Sequence, residues 1–440
     1  MSADSMLALN TYDPASAAVA DPTIRGLIER RQRIFGAAVP LFYEDPVHIT
    51  RAEGVWLYDH EGRAYLDAYN NVPSVGHCHP RVVDAVARQA AQLNTHTRYL
   101  SEVVYAYAER LLATFPEALS NLLFTSSGTE SVDLALRMAR YHTGGAGFIV
   151  TRFAYHGHST AVAEITPAFG PGVPLGVHVR TVPAPPPGRS GEDVSQSFAA
   201  GIEQAIADLR RHGIRFAGAI FDSIFSSDGL YADPPGFLRA AAETVRRHGG
   251  VYIADEVQPG FGRTGAGMWG FSRHGITPDL VVMGKPMGNG MPIAAVVARP
   301  ELMASFSERS GYFNTFGGNT VCCAAASAVL DVLRDERLIE RSAQVGQYLK
   351  DGFERLQRAD ARIGDVRGAG LYLGVEIVDQ AGAPDTREAL RLVNGLRQRR
   401  ILVSTCAAAG NVLKIRPPLP FSTEHCDLLL DAAGQLLAAG

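Results

Sequence analysis

Lysine is nearly missing from this chain. Of 41 basic residues only Lys285, Lys350 and Lys414 are lysines, and the rest are arginines. A bias toward GC-rich codons accounts for the scarcity, but it makes each retained lysine worth a question. Arginine cannot replace lysine where a deprotonated amine is needed. Basic excess is missing too: 41 basic residues stand against 45 acidic, for a net charge of -4. Nucleic-acid binders usually carry the opposite balance, so that class and that partner are set aside. Charged residues reach only 20% while hydrophobic ones make up 46%, which excludes a disordered chain. No apolar run approaches the ~18 residues of a membrane span. The opening MSADSMLALNTYDP has no basic or long apolar signal region. The five cysteines (Cys78, Cys322, Cys323, Cys406 and Cys426) are odd in number, scattered and without a CxxC pair. They read as reduced thiols in a cytoplasmic protein with no membrane partner.

What is present is an alternation. The 440 residues exceed one small domain at roughly 100–200 residues each, and no period of 20–50 residues recurs. The segment 55–69 predicts two short strands around a His-Glu-Gly turn. Amphipathic helices follow at 81–93 and 104–115. From 120 to 300, short apolar runs alternate with helices: NLLFT, GFIVTRF, FAGAIFDS, GVYIADEV, DLVVMGK and IAAVVA. Unbroken runs of this length suit strands buried on both faces. The alternation predicts an α/β/α domain with a mostly parallel sheet. The proline-rich 182–193 reads as a surface loop. Beyond 320, long helices and a few strands predict a smaller α+β domain. The expected division is an N-terminal segment 1–70 packing with the small domain, a large domain 71–319 and a small domain 320–440.

Lys285 follows the strand-like DLVVM inside MGKPMGNGMP, with Gly284, Gly288 and Gly290 close by. That places an amine at a strand's carboxyl end, on tight and exposed backbone, where open α/β sheets bind ligands. In an apolar pocket such an amine has a depressed pKa and can form a Schiff base. Asp255 ends the apolar VYIA, where a carboxylate is costly unless it is paired. A lysine Schiff base together with an acid for a pyridinium nitrogen is the signature of pyridoxal phosphate (PLP) enzymes. In FTSSGTES, Ser127 and Glu130 satisfy a capping box, and the free N–H groups of that helix start favour an anion. Gly128 lets backbone approach it, and Thr129 adds a hydroxyl. Tyr155, in the run Tyr155-His156-Gly157-His158, is placed to stack on a ring. The histidines there and in His77-Cys78-His79 suggest zinc by type. No second ligand pair has structural-site spacing, so no metal is expected.

Taken together, SSGTES, YHGH, ADEVQPGFGRTG, MGKPMGNGMP, NTFGGN and IRPPL resemble the class III aminotransferases of PLP fold type I, in order and over nearly the whole chain. The resemblance implies that Lys285 carries the cofactor's Schiff base and that Asp255 pairs with its ring nitrogen. Val257 would pack on the ring, Gln258 would sit near the ring hydroxyl, and Tyr155 would stack. Gly128 and Thr129 would hold the phosphate. Thr315 would reach the phosphate of a partner subunit, implying a homodimer with shared sites. One position departs from the family. Asp222-Ser223 stands where many members carry Glu-Pro, so the cofactor-side acid is a methylene shorter, against a transaminase-type amine pocket.

YNNVPSVGHCHP, LNTHTRYL, GYFNTFGG, IGDVRGAG and ILVST with NVLKIRPP are similar to one branch, the ethanolamine-phosphate phospho-lyases. Two chemistries then stay open. Both begin when Lys285 removes a proton from the carbon bearing the substrate's nitrogen. A phospho-lyase next expels phosphate and yields an aldehyde and ammonia. A transaminase hands the amine on to pyruvate or 2-oxoglutarate. The lyase's partner is a small phosphorylated amine, whose phosphate suits an arginine fork. Arg416 and Arg98 are the candidates, with Tyr69 and Asn70 as further pocket residues. In the transaminases an arginine like Arg416 binds a carboxylate, so that residue does not separate the two.

Overall fold

The computed structural model describes residues 5–15, 19, 21–185 and 191–439. After a helix at Pro22–Phe35, the chain enters an antiparallel meander of β1 (Ile49–Glu53), β2 (Trp56–Asp59) and β3 (Ala64–Asp67). The β2–β3 turn is fastened by Asp59, whose Oδ1 accepts from the N–H groups of Glu61 and Arg63. Helices Pro80–Gln92 and Glu102–Leu112 follow, each within a few residues of its expected place.

The central sheet has seven strands: β4 (Asn121–Thr125), β5 (Gly147–Thr151), β6 (Val179–Val182), β7 (Phe216–Asp222), β8 (Val251–Asp255), β9 (Leu280–Met283) and β10 (Ala294–Ala298). Their order is β4-β10-β9-β8-β7-β5-β6. From β9 to β6 every pairing is parallel, and β10 runs antiparallel to both its neighbours. All residues of β5, β8, β9 and β10 are buried, as unbroken apolar runs require of strands covered on both faces. β6 escapes that pattern because its central Arg180 and Thr181 are only half-buried on the sheet's edge. The expected loop at 182–193 is shorter than read. Helix Gly191–Arg211 already begins inside it, and 186–190 lie outside the described residues.

A second antiparallel sheet joins β11 (Ile363–Gly368), β12 (Leu373–Ile377), β14 (Ser404–Cys406) and β15 (Val412–Ile415). Between them β13 (Ile401–Leu402) pairs in parallel with β3, so the N-terminal meander is completed by a strand from the far end of the chain. Tyr43 adds a second tie, donating to the Val403 carbonyl at 2.9 Å.

The site follows from strand direction. β7, β8 and β9 are parallel, and β4 points the same way because two antiparallel steps separate it from β9. Their carboxyl ends therefore bring Asp222, Asp255, the Gly284-Lys285 turn and the start of helix Gly128–Thr143 to one edge, where open sheets bind ligands.

Candidate active site

At that edge lies a cavity of about 230 Å³ lined by Gly128, Thr129, Tyr155, Asp222, Asp255, Val257, Gln258 and Lys285, together with His156, Gly157 and His158. Eight residues chosen from sequence thus meet in one space. The helix start is capped by Ser127, whose Oγ accepts from Glu130 N–H at 3.2 Å. The capping box is not closed as expected, because Glu130 Oε2 accepts from Ser126 N–H at 2.6 Å instead. Backbone closeness is required here. A Cβ on Gly157, which has φ +141°, would come within 2.5 Å of Thr129 Oγ1.

Asp255 is buried and paired with a residue that the sequence reading left without a role. His156 Nδ1 lies 2.7 Å from Asp255 Oδ2, and Val257 N–H donates to Oδ1 at 3.0 Å. This pair answers the cost of a carboxylate at the end of a buried strand. The far ring nitrogen, His156 Nε2, is buried and has no partner among the described residues. Asp222 is held by its own turn, accepting from Ile224 N–H at 2.9 Å and from Ser226 N–H at 3.0 Å and its hydroxyl. Burial, then the charge of Asp255, pushes its carboxyl above the usual range.

Lys285 begins a tight turn, with φ +23°, in the left-handed region that strains a non-glycine residue. The expected exposure is corrected: Gly284, Pro286, Met287 and Gly288 are buried and the lysine itself is half-buried. Ser74 Oγ donates to the Pro286 carbonyl at 3.2 Å, and Asn289 bonds Val75 and Gly76, so the turn is held from across the fold. Burial, then the positive charge of Arg416, brings the amine's pKa down to about 8.

A second cavity of about 290 Å³ adjoins the first and shares Tyr155, Gln258 and Lys285 with it. Arg416 and Tyr69 line it, with the guanidinium 4.5 Å over the Tyr69 ring. Asp67 fixes that tyrosine's backbone by accepting from Tyr69 and Asn70 N–H groups. Lys414, absent from the expected site, lines the same wall. It stands on β15, two residues before Arg416, which directly follows the strand, and both line the one cavity. Its scarcity was the available signal. Of the other lysines, Lys285 is in the site and Lys350 pairs with Asp233 at 3.5 Å. Gln258 links the cavities: its Nε2 donates to Ser226 Oγ at 2.7 Å, and its Oε1 accepts from Tyr372 hydroxyl at 2.9 Å and from Arg416.

Three expected residues do not line either cavity of this chain. Arg98 is exposed, with its guanidinium 3.9 Å over the Phe313 ring. Asn70 accepts from Val72 N–H at 3.1 Å in its own turn. Thr315 is exposed beside Asn314, whose Nδ2 donates to Glu130 at 3.2 Å. The histidines weighed for zinc are otherwise engaged: His77 meets Asp67 at 2.7 Å and His79 meets Glu336 at 2.9 Å.

An amine, a buried carboxylate and an anion-binding helix start around one cavity fit the carbonyl, ring nitrogen and phosphate of PLP. The glycine cradle and the free Nε2 of His156 leave room and a polar partner there. Residues 42–437 match the family described as aminotransferase class-III. A Drosophila melanogaster protein named alanine–glyoxylate aminotransferase 2-like is 40% identical over 94% of this chain and 87% of its own. A Caenorhabditis elegans ethanolamine-phosphate phospho-lyase homolog 1 is 36% identical over 96% of each. The solved structure of an Arthrobacter phospholyase in complex with phosphoethanolamine is 43% identical, with a TM-score of 0.91 over 94% of this chain and 100% of that one.

Proposed function

Because the chain belongs to the class III aminotransferase family and has the fold-type-I architecture of its PLP-dependent enzymes, we propose that it is a phospho-lyase. Its substrate is phosphoethanolamine or a related amino-alcohol phosphate. Its products are an aldehyde, ammonia and inorganic phosphate. The observation that carries this reading is the pair Lys414 and Arg416 on one wall of the cavity that holds Lys285. Both are buried, and neither has a carboxylate partner among the described residues. Two unpaired buried cations suit a dianion, whereas a substrate carboxylate brings a single charge. The phosphoethanolamine bound by the Arthrobacter enzyme supports the same substrate class.

When bound, PLP supplies a carbonyl for the substrate's amine and a ring that draws electrons from the neighbouring carbon. In this reading Gly128 and Thr129 hold its phosphate, Asp255 its ring nitrogen, Val257 and Tyr155 its faces, and Gln258 its hydroxyl, with Asp222 alongside. His156 fixes the Asp255 carboxylate. Lys285, partly deprotonated near neutral pH, takes the proton from the carbon bearing nitrogen. Arg416 holds the substrate phosphate, with Tyr69 beneath its guanidinium. No keto acid takes part.

A homodimer with shared sites belongs to the same reading. Tyr99, Leu100, Phe313 and Phe316 expose apolar rings and side chains near Arg98 and Thr315, and covering them brings Thr315 toward a partner's cofactor phosphate. The free thiols suit a cytoplasmic enzyme.

A class III ω-amine transaminase is the second reading, favoured by the aminotransferase name of the Drosophila relative. A substrate comparison separates them. The kcat/KM for phosphate release from phosphoethanolamine is set against that for alanine formation from simple ω-amines and pyruvate. The lyase reading expects at least about a hundredfold preference for the phosphorylated amine, as loss of a buried charge pair's partner predicts. A preference the other way overturns it.

A further inference from the structure

Expelling phosphate from a monoester dianion leaves a poor leaving group unless a proton reaches the bridging oxygen. Among the described residues of the substrate-side cavity, two cations stand side by side, Lys414 and Arg416. Arg416 is always protonated and serves as a fixed charge. Lys414, its neighbour two residues earlier on β15, ends in a dissociable ammonium. Resting on the phospho-lyase reading above, we propose that Lys414 is the proton donor to the departing phosphate, with Arg416 holding its other oxygens.

The geometry supports a built anion site. Lys414 and Arg416 are 5% and 7% exposed and line one cavity with Lys285. Arg416 Nε is a buried polar atom with no partner among the described residues. Lys414 makes no ion pair there either; its Nζ lies 5.8 Å over the Tyr372 ring. A group with two charges and several acceptor oxygens satisfies both at once. The charged and titratable groups facing Lys414 are Arg416 just after its own strand, Cys406 on β14, Lys285 after β9, Asp222 at the end of β7, and Tyr372 before β12. Burial and the two neighbouring cations bring its pKa down to about 7, close to the value suited to giving a proton at neutral pH. An arriving dianion favours the charged form, so the lysine is protonated when substrate sits.

The step balances. Lys285 takes a proton from the carbon bearing nitrogen. The electron pair left there forms the new carbon–carbon double bond. The carbon–oxygen bond breaks with its pair on oxygen, and the Lys414 proton joins that oxygen, so hydrogen phosphate leaves. Lys414 ends neutral and Lys285 protonated. Water then converts the enamine to aldehyde and ammonia.

The test uses the PLP-loaded enzyme with two substrates, phosphoethanolamine and the sulfate ester of ethanolamine, because sulfate departs without a proton. Lys414→Arg keeps the charge but cannot donate. It is expected to lower kcat for phosphate release about a hundredfold or more and to leave kcat for sulfate release little changed. Calorimetric affinity for inorganic phosphate is expected to survive in Lys414→Arg and to fall in Lys414→Met. Equal losses of kcat for both substrates overturn the inference and make Lys414 a binding charge only. Should Lys414→Arg fail to fold, wild-type pH profiles decide. The proposal requires an alkaline limb in kcat with phosphoethanolamine that the sulfate ester lacks, and the same limb with both contradicts it. A wild type that transfers amines but releases no phosphate overturns the phospho-lyase reading itself, a distinct result.

Discussion

His156 and Asp255 form a buried pair across the carboxyl edge of the sheet, 2.7 Å from Nδ1 to Oδ2. With Asp255 ionised, the imidazole is the donor and its proton sits on Nδ1. The pair orients the carboxylate toward the cavity. His156→Leu is therefore expected to weaken PLP retention by roughly tenfold to a hundredfold, the equivalent of about 1–3 kcal/mol for a lost charged hydrogen bond. Cofactor titration by visible absorbance measures it. Unchanged retention removes His156 from the site.

Gly157→Ala tests the cradle from the other side. Its Cβ would fall 2.5 Å from Thr129 Oγ1, on backbone with φ +141°. Thr129 has to move, and PLP affinity is expected to drop at least about tenfold while the far-ultraviolet circular dichroism stays native. An alanine variant that binds PLP normally places the phosphate away from Thr129.

The pH dependence of Lys414 has a definite sign. Its folded pKa, about 7, lies below the unfolded lysine value of 10.5. Between these the unfolded chain holds more protons, so this group's contribution to stability rises with pH through that window. Below it the folded protein carries the full cost of a buried ammonium. Without anions, Lys414→Met is expected to melt higher than wild type at pH 6, by a margin that shrinks toward pH 9. Added phosphate is expected to erase the margin. A margin that grows with pH contradicts the assignment of an unpaired buried charge.

Glu256 is structural. It is fully buried and accepts from Ser223 Oγ at 2.5 Å, Gly270 N–H at 2.7 Å and Phe271 N–H at 2.8 Å. Burial raises its pKa to about 8. Glu256→Ala orphans two backbone donors and is expected to cost roughly 2–6 kcal/mol in urea unfolding, at about 1–3 each. A cost below about 1 kcal/mol means that water replaces the carboxylate.

The cofactor side was legible because its residues sit beside the apolar runs that make the sheet. Asp255 ends β8, Lys285 follows β9 and Gly128 follows β4, so strand reading alone delivers them to one edge. What escaped depended on pairing between distant segments. Lys414 stands two residues before Arg416, and neither meets Lys285 until the second sheet is in place. Tyr372 reaches Gln258 across 114 positions. Arg98 was a candidate for the substrate phosphate; its stacking on Phe313, from a remote loop, has no local signature. His156 was hidden by its neighbours, since a run with two histidines invites a metal reading before a carboxylate partner.

The most direct measurement is inorganic phosphate release from phosphoethanolamine with PLP present and every keto acid absent, for wild type and Lys285→Ala together. Catalytic phosphate matched by acetaldehyde is expected in the wild type and neither in the variant. Wild-type silence, followed by alanine formation once pyruvate is added, would make the enzyme a transaminase and not a phospho-lyase.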